Sequence, residues 1–317
     1  MTPAAPPAAA VPPAATGPPP HFLIIGAQKA GTTSLHGHLA RHPGLFLSDP
    51  KEPWFFSKEN RWGRGWDWYR GLFAGGAGKV CGEASANYAI DVDAPHAPER
   101  IARHLPGVKL IYLVRDPVER VRSAWLWHRR VVPGYEPDFA VAVRTQPFLI
   151  AASLYRRQLA RFRAVVPDDR IKVLFLEEFA ADPLAGLRDV ATFLGVDPDA
   201  FPRDLDLAGR GKDHRAGRIV SGPVDLLRRG RWFQPVKNAL IPAALRPWVK
   251  RLVSRPAVKP DWPPDLLAEV TAAVRDDARG FLADHGKPAD FWPSVADAPV
   301  ADAPVADAPV ARVRARA

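Results

Sequence analysis

The chain has 317 residues, a net charge of +10 and 47% hydrophobic residues, enough apolar matter for one large α/β domain or two small ones. A single cysteine, Cys81, excludes an internal disulfide and a cysteine-built metal site. No run approaches the ~20 apolar residues of a membrane-spanning helix.

Residues 1–20 are nearly all Ala and Pro and carry no charged side chain. Without a basic start and a leucine-rich centre they do not read as a signal peptide, and the composition predicts a disordered tail. Phe22 to Ile25 then reads as a buried strand. It runs into a loop with glycines at Gly26 and Gly31, and the loop opens a helix near Thr32 that ends before Pro43. A strand, a glycine loop and a helix N-terminus together form an anion cradle, because backbone N–H groups and the helix dipole point at one place. The glycine spacing is that of a nucleotide P-loop, which needs Lys-Ser/Thr after the second glycine. Here that slot holds Thr32, and the lysine stands inside the loop as Lys29. A lysine so placed sits nearer the first phosphate and whatever is bonded to it. Thr32, Thr33 and Ser34 add hydroxyl donors. Such a site suits a nucleotide with one 5′-phosphate and an activated group beyond it, and it requires no metal.

Next comes Lys51-Glu52-Pro53-Trp54-Phe55-Phe56, a charged pair ahead of aromatics that would bury it, and then Gly82-Glu83-Ala84-Ser85-Ala86-Asn87-Tyr88. A buried carboxylate within reach of a nucleophile is what a general base requires. Val108 to Val114 reads as a second buried parallel strand, ended by Arg115-Asp116-Pro117. Pro117 starts a helix running to about Arg130. Arg115 therefore lies at the carboxyl end of a strand, where open α/β sheets bind ligands, with Ser123 about two turns along the helix. A helix over about 150–165 and a strand over 170–176 follow, then a helix ending near Gly195. Strands alternating with helices predict a parallel sheet.

The loop Gly26, Ala27, Gln28, Lys29, Ala30, Gly31, Thr32, Thr33, Ser34 resembles the 5′-phosphosulfate loop of sulfotransferases that use 3′-phosphoadenosine 5′-phosphosulfate (PAPS). Arg115-Asp-Pro-Val-Glu-Arg120-Val-Arg-Ser123, about 80 residues on, resembles that family's 3′-phosphate motif. The Lys51-Glu52-x-x-Phe55-Phe56 segment resembles the base-bearing segment of the heparan-type branch, here in a bacterial form. The resemblance spans nearly the whole domain, drawn as 21–292, and closes on Phe291-Trp292 as a packing anchor. It implies an α/β, P-loop-like three-layer sandwich with a central parallel sheet flanked by helices. It implies Glu52 as general base, with Lys29 assisting release of the 5′-phosphate. The cofactor PAPS would be held by Gln28 to Ser34 with Arg115 and Ser123, without metal. Lys51, Glu83 and Ser85 would line the acceptor side, although Ala86 stands where relatives carry proline. A late basic loop places Lys212 and Arg215 by the 3′-phosphate. His36, His38, His42 and His128 match no base context of the other branches and read as structural or solvated.

Between 226 and 260 there are nine Lys/Arg and no Asp/Glu, interleaved with apolar bulk. Such a segment reads either as a solvated basic face or as a peripheral contact with an anionic membrane. No nucleic-acid recognition motif accompanies the charge. The repeat Ala-Asp-Ala-Pro-Val over 296–310 opens a low-complexity tail, drawn as 293–317. The sum is a soluble, cytoplasmic PAPS-dependent sulfotransferase acting on a hydroxyl or amine of a glycan, glycolipid or small molecule. Two readings compete: a small-molecule kinase, against which Thr32 and the Arg115–Ser123 pair argue, and a non-catalytic PAP- or carbohydrate-binding protein. (PAP is the desulfated product of PAPS.)

Overall fold

The computed structural model of the chain describes residues 17–205, 218–220, 254–256 and 258–296. In chain order the main elements are β1 (Phe22–Gly26), α1 (Thr32–Leu39), β2 (Leu45–Leu47), α2 (Glu59–Trp62), α3 (Trp66–Gly71), β3 (Val80–Ala84), α4 (Ala97–His104), β4 (Lys109–Val114), α5 (Pro117–Val131), α6 (Phe139–Thr145), α7 (Phe148–Ala151), α8 (Tyr155–Arg163), β5 (Ile171–Phe175), α9 (Leu176–Ala181), α10 (Pro183–Leu194), β6 (Arg218–Val220), β7 (Ser254–Pro256) and α11 (Pro264–Asp284). Five strands form a parallel sheet in the order β2-β3-β1-β4-β5, flanked by helices. β6 and β7 pair separately and antiparallel.

Apolar pattern explains the centre of the sheet. Every residue of β1 is buried, as are the last five of β4, so these strands are covered on both faces. The order reverses around β1: β3, later in the chain, lies on one side and β4 on the other. Parallel strands then deliver the segments after β1, β3 and β4 to one edge of the sheet, the switch point where such folds bind ligands.

Helix starts follow their sequence signals. Asp116 caps α5, its carboxylate accepting from the Val118 and Glu119 amides at 3.0 Å, with Pro117 at the first position. The same carboxylate accepts the Ser294 hydroxyl at 2.8 Å, tying the C-terminal segment to the start of α5. Trp292 is fully buried against Phe281, Tyr155 and Phe175. Packing extends past it to Val295, which is also fully buried. At the other end Gly17 and Pro20 are buried, and Arg70 donates to the Gly17 carbonyl at 2.8 Å, so ordered packing starts before residue 21.

Arg120 on α5 is fully buried, and among the described residues no carboxylate pairs with it. Its guanidinium donates to the Ser153 hydroxyl at 2.6 Å and to the Leu149 carbonyl, and Ser153 in turn donates to the Pro117 carbonyl at 2.9 Å. This network pins the first turns of α5 to the segment before α8.

Candidate active site

A cavity of about 840 Å³ opens at the switch point. Its wall includes Gln28, Lys29, Gly31, Thr32, Thr33 and Ser34 from the loop after β1, Arg115 and Ser123 from the end of β4 and from α5, and Glu52.

The loop is shaped by its backbone. Gly31 has φ 100°, a left-handed conformation that a side chain resists, and it stands at the N-cap of α1 without any side-chain cap. The first N–H groups of a helix have no carbonyl partner within it, and Thr32 and Thr33, which open α1, line the cavity. Gly26 has a different reason. A Cβ there would stand 2.6 Å from the Tyr112 ring, so the strand end is glycine to let that ring pack. Ala30 departs from the expected donor-binding set. Its side chain is fully buried, and its N–H donates to the Ala27 carbonyl at 3.1 Å, so it shapes the loop from behind.

Lys29 also has a positive φ, 71°, and its ammonium lies 5.6 Å from the centre of the Trp127 ring. Burial pushes its pKa down to about 8; Arg130 adds to the fall, Glu52 opposes it, and Arg115 and Lys51 add smaller repulsions. Cations gathered around Lys29 in this way suit an anion. Arg115 supports the loop directly, donating from Nη1 to the Lys29 carbonyl at 3.3 Å. Its own backbone carbonyl accepts from the Tyr155 hydroxyl at 2.8 Å.

Glu52 and Lys51 pair with each other at 2.8 Å, with side chains 29% and 19% exposed. The sequence suggested that the aromatic run would bury the glutamate. Instead Phe55 and Phe56 turn into the core around Tyr69, while Glu52 (φ 61°) and Trp54 (φ 55°) have left-handed backbones and Glu52 lines the cavity.

Glu83 and Ser85 fall behind the cavity wall and not on it. Glu83 is fully buried and accepts from Tyr88 at 2.6 Å, Ser85 at 2.8 Å and Tyr69 at 3.1 Å. Burial pushes its pKa up to about 7 against the lowering effect of those hydrogen bonds. Lys212 and Arg215 lie outside the described residues, as does 226–260 except for 254–256 and 258–260.

Sequence reasoning missed part of the wall: Leu126 and Trp127 on α5, Leu176, and Val258 with Lys259. The helical spacing from Ser123 to Trp127 could have found the tryptophan, because positions four apart share a face. Lys259 sits 140 residues from its partner Glu119, a 3.3 Å ion pair that no local pattern shows.

The cations Lys29 and Arg115 on the wall fit an anionic ligand. Gln28 Oε1 and Arg115 Nε are buried with no hydrogen-bond partner among the described residues, and both belong to side chains on the cavity. Buried polar atoms left this way call for a ligand or water.

Residues 19–206 match the family described as "Sulfotransferase domain". The chain belongs to the sulfotransferase family. The chain is 30% identical over 203 residues to the human bifunctional heparan sulfate N-deacetylase/N-sulfotransferase 2, covering 56% of this chain and 22% of that one. It is 30% identical over 185 residues to mouse heparan sulfate glucosamine 3-O-sulfotransferase 6, covering 56% of this chain and 52% of the other. The chain thus spans about a fifth and about half of these relatives' lengths. The crystal structure of a sulfotransferase from Alicyclobacillus acidocaldarius superposes with a TM-score of 0.63 at 25% identity, covering 87% of this chain and 99% of that one. Among the described residues no helix is long and apolar enough to cross a membrane.

Proposed function

We propose that this sulfotransferase modifies a hydroxyl or amine of a glycan, with Glu52 as general base and the Lys29 loop holding the leaving phosphate. The observation that carries the reading is that one cavity joins Glu52, the loop from Gln28 to Ser34, Arg115 and Ser123. When bound, PAPS supplies the sulfuryl group and a phosphate leaving group. Glu52 takes the proton of the attacking acceptor atom, with Lys51 fixing the carboxylate's orientation from 2.8 Å. Lys29 and the first-turn N–H groups of α1 offset negative charge growing on the 5′-phosphate. Arg115, with a planar fork of donors, and Ser123 hold the 3′-phosphate.

The glycan preference rests on the Lys51-Glu52 segment and on relatives whose names specify heparan sulfate. Its test is a panel of acceptors incubated with ³⁵S-labelled PAPS: de-N-sulfated heparan sulfate, a glycolipid and a simple phenol. Label in the polysaccharide, located by mass spectrometry, supports the reading; label in the phenol alone sinks it. Thermal-shift titration should show stabilisation by PAP and none by ATP at equal concentration.

The basic segment 226–260 supports a peripheral contact with an anionic membrane on the cytoplasmic side. The segment carries nine cations and no acidic residue, and those other than Lys259, which pairs with Glu119 at the cavity, would gain from an anionic surface. Co-sedimentation with phosphatidylserine vesicles, but not with neutral ones, is the expected result; equal pelleting with both would refute it.

A further inference from the structure

The base-bearing segment is held in a conformation it would not adopt alone. Glu52 and Trp54 both have left-handed backbones, at φ 61° and 55°, and neither is glycine. Such residues persist only where the surroundings over-determine them. Here the surroundings are the segment after β3. The Glu52 amide donates to the Ala84 carbonyl at 3.1 Å, the Trp54 amide to Ser85 Oγ at 3.1 Å, and the Phe56 amide to the Tyr88 hydroxyl at 3.4 Å. Ser57 and Asn87 close the series through their side chains at 3.0 Å.

Two of these contacts share an organiser. A hydroxyl can donate or accept, and only its other partner decides which way it turns. Ser85 donates to Glu83 Oε2 at 2.8 Å, and Tyr88 donates to Glu83 Oε1 at 2.6 Å. With their hydrogens committed to the carboxylate, both oxygens are left to accept, and the donors they meet are the amides of Trp54 and Phe56. Tyr69 donates to the same carboxylate from α3 at 3.1 Å, fixing Glu83 from the far side.

We infer that Glu83 is a positioning residue for the sulfuryl-transfer site: through Ser85 and Tyr88 it clips the Trp54 and Phe56 amides and so aims Glu52 into the cavity. Glu83 does not touch the acceptor. This rests on the reading of Glu52 as the base.

The test uses the full chain carrying Ser85→Ala, Ser85→Thr or Glu83→Gln, with Glu52→Gln as the control. Hydrogen exchange of the Trp54 and Phe56 amides needs no acceptor. Losing an accepting hydroxyl should speed exchange of the Trp54 amide about tenfold or more in Ser85→Ala, and of both amides in Glu83→Gln. The amides of the 26–34 loop and the affinity for PAP should not change. Turnover on de-N-sulfated heparan sulfate should fall about tenfold at unchanged KM for PAPS, because misaiming a catalytic group costs rate and not donor binding. Ser85→Thr, which restores the hydroxyl, should recover both readouts. Should Glu83→Gln fail to fold, Ser85→Ala carries the test. Protected amides in Ser85→Ala, or exposed amides with full turnover, overturn the inference. Full turnover in Glu52→Gln overturns the base reading instead, whereas an inactive Glu52→Gln beside a fully active Ser85→Ala overturns this inference alone.

Discussion

Arg115 donates to the backbone carbonyl of Lys29 across 3.3 Å, although the two residues are 86 positions apart. The two halves of the donor site are therefore one mechanical unit: the arginine assigned to the 3′-phosphate also braces the loop assigned to the 5′-phosphate. Lys29 needs that brace because its φ is 71°.

Arg115→Ala should consequently weaken PAP binding by more than one lost contact. A hydrogen bond to a charged group contributes about 1.5–3 kcal/mol, or roughly 10- to 100-fold in Kd. Calorimetric titration with PAP measures it. Arg115→Lys should not restore binding, since an ammonium cannot reproduce the planar fork. A Kd for PAP unchanged in Arg115→Ala would remove the arginine from the site.

Lys29 should couple donor binding to protons. Its pKa, lowered to about 8 chiefly by burial, means that the free protein has partly lost this proton at pH 8. A bound anion favours the protonated form, so PAP binding near pH 8 should take up a fraction of a proton. The apparent affinity should fall as pH rises through 8. Calorimetry in two buffers of different ionisation enthalpy reads the uptake, and Lys29→Met should abolish it.

The same group sets a stability trade-off. Lys29 is depressed from 10.5 to about 8, so its contribution to stability is present above pH 10.5 and is lost as pH falls through 8. At pH 7 the folded protein holds a buried cation that the unfolded chain would solvate freely. Lys29→Met should therefore raise the unfolding free energy at pH 7 by roughly 1–3 kcal/mol while cutting turnover about 100-fold or more. Thermal melts at pH 7 and pH 10 would show the gain shrinking at the higher pH.

Gly31→Ala tests the loop backbone. At φ 100° an alanine is strained, and its Cβ would stand 2.9 Å from Leu176 Cδ1 on the cavity wall. The strain alone costs about 1–2 kcal/mol. PAP affinity should fall with stability, because the displaced Gly31 carries the N-cap of α1. A variant that melts earlier yet binds PAP normally would show that the loop does not hold the phosphate.

Much of this was legible in the sequence, for physical reasons that differ by residue. The apolar runs Phe22–Ile25 and Val108–Val114 read as buried parallel strands because both faces of each must be covered, and they are β1 and β4. Gly31 marks a position that only glycine occupies without strain. Glu83 and Ser85 read in sequence as lining the acceptor side, but burial is a tertiary property. The sequence does not show that Tyr69, 14 residues earlier, donates to Glu83 and helps seal it away. Trp54 to Phe56 likewise read as a blanket over Glu52, whereas Phe55 and Phe56 pack into the core and the Glu52 carboxylate lies on the cavity wall. Lys259 was hidden by distance along the chain.

The proposed roles meet at Glu52, the proton acceptor in a cavity where Lys29 and Arg115 would hold the donor. Transfer of ³⁵S from labelled PAPS to de-N-sulfated heparan sulfate by wild type and Glu52→Gln, with the Kd for PAP measured on the same preparations, tests them most directly. Glu52→Gln should lower transfer about 100-fold or more with an unchanged Kd, since a general base contributes about 10²–10⁴ to rate and nothing to donor binding. Transfer by Glu52→Gln at the wild-type rate would contradict it.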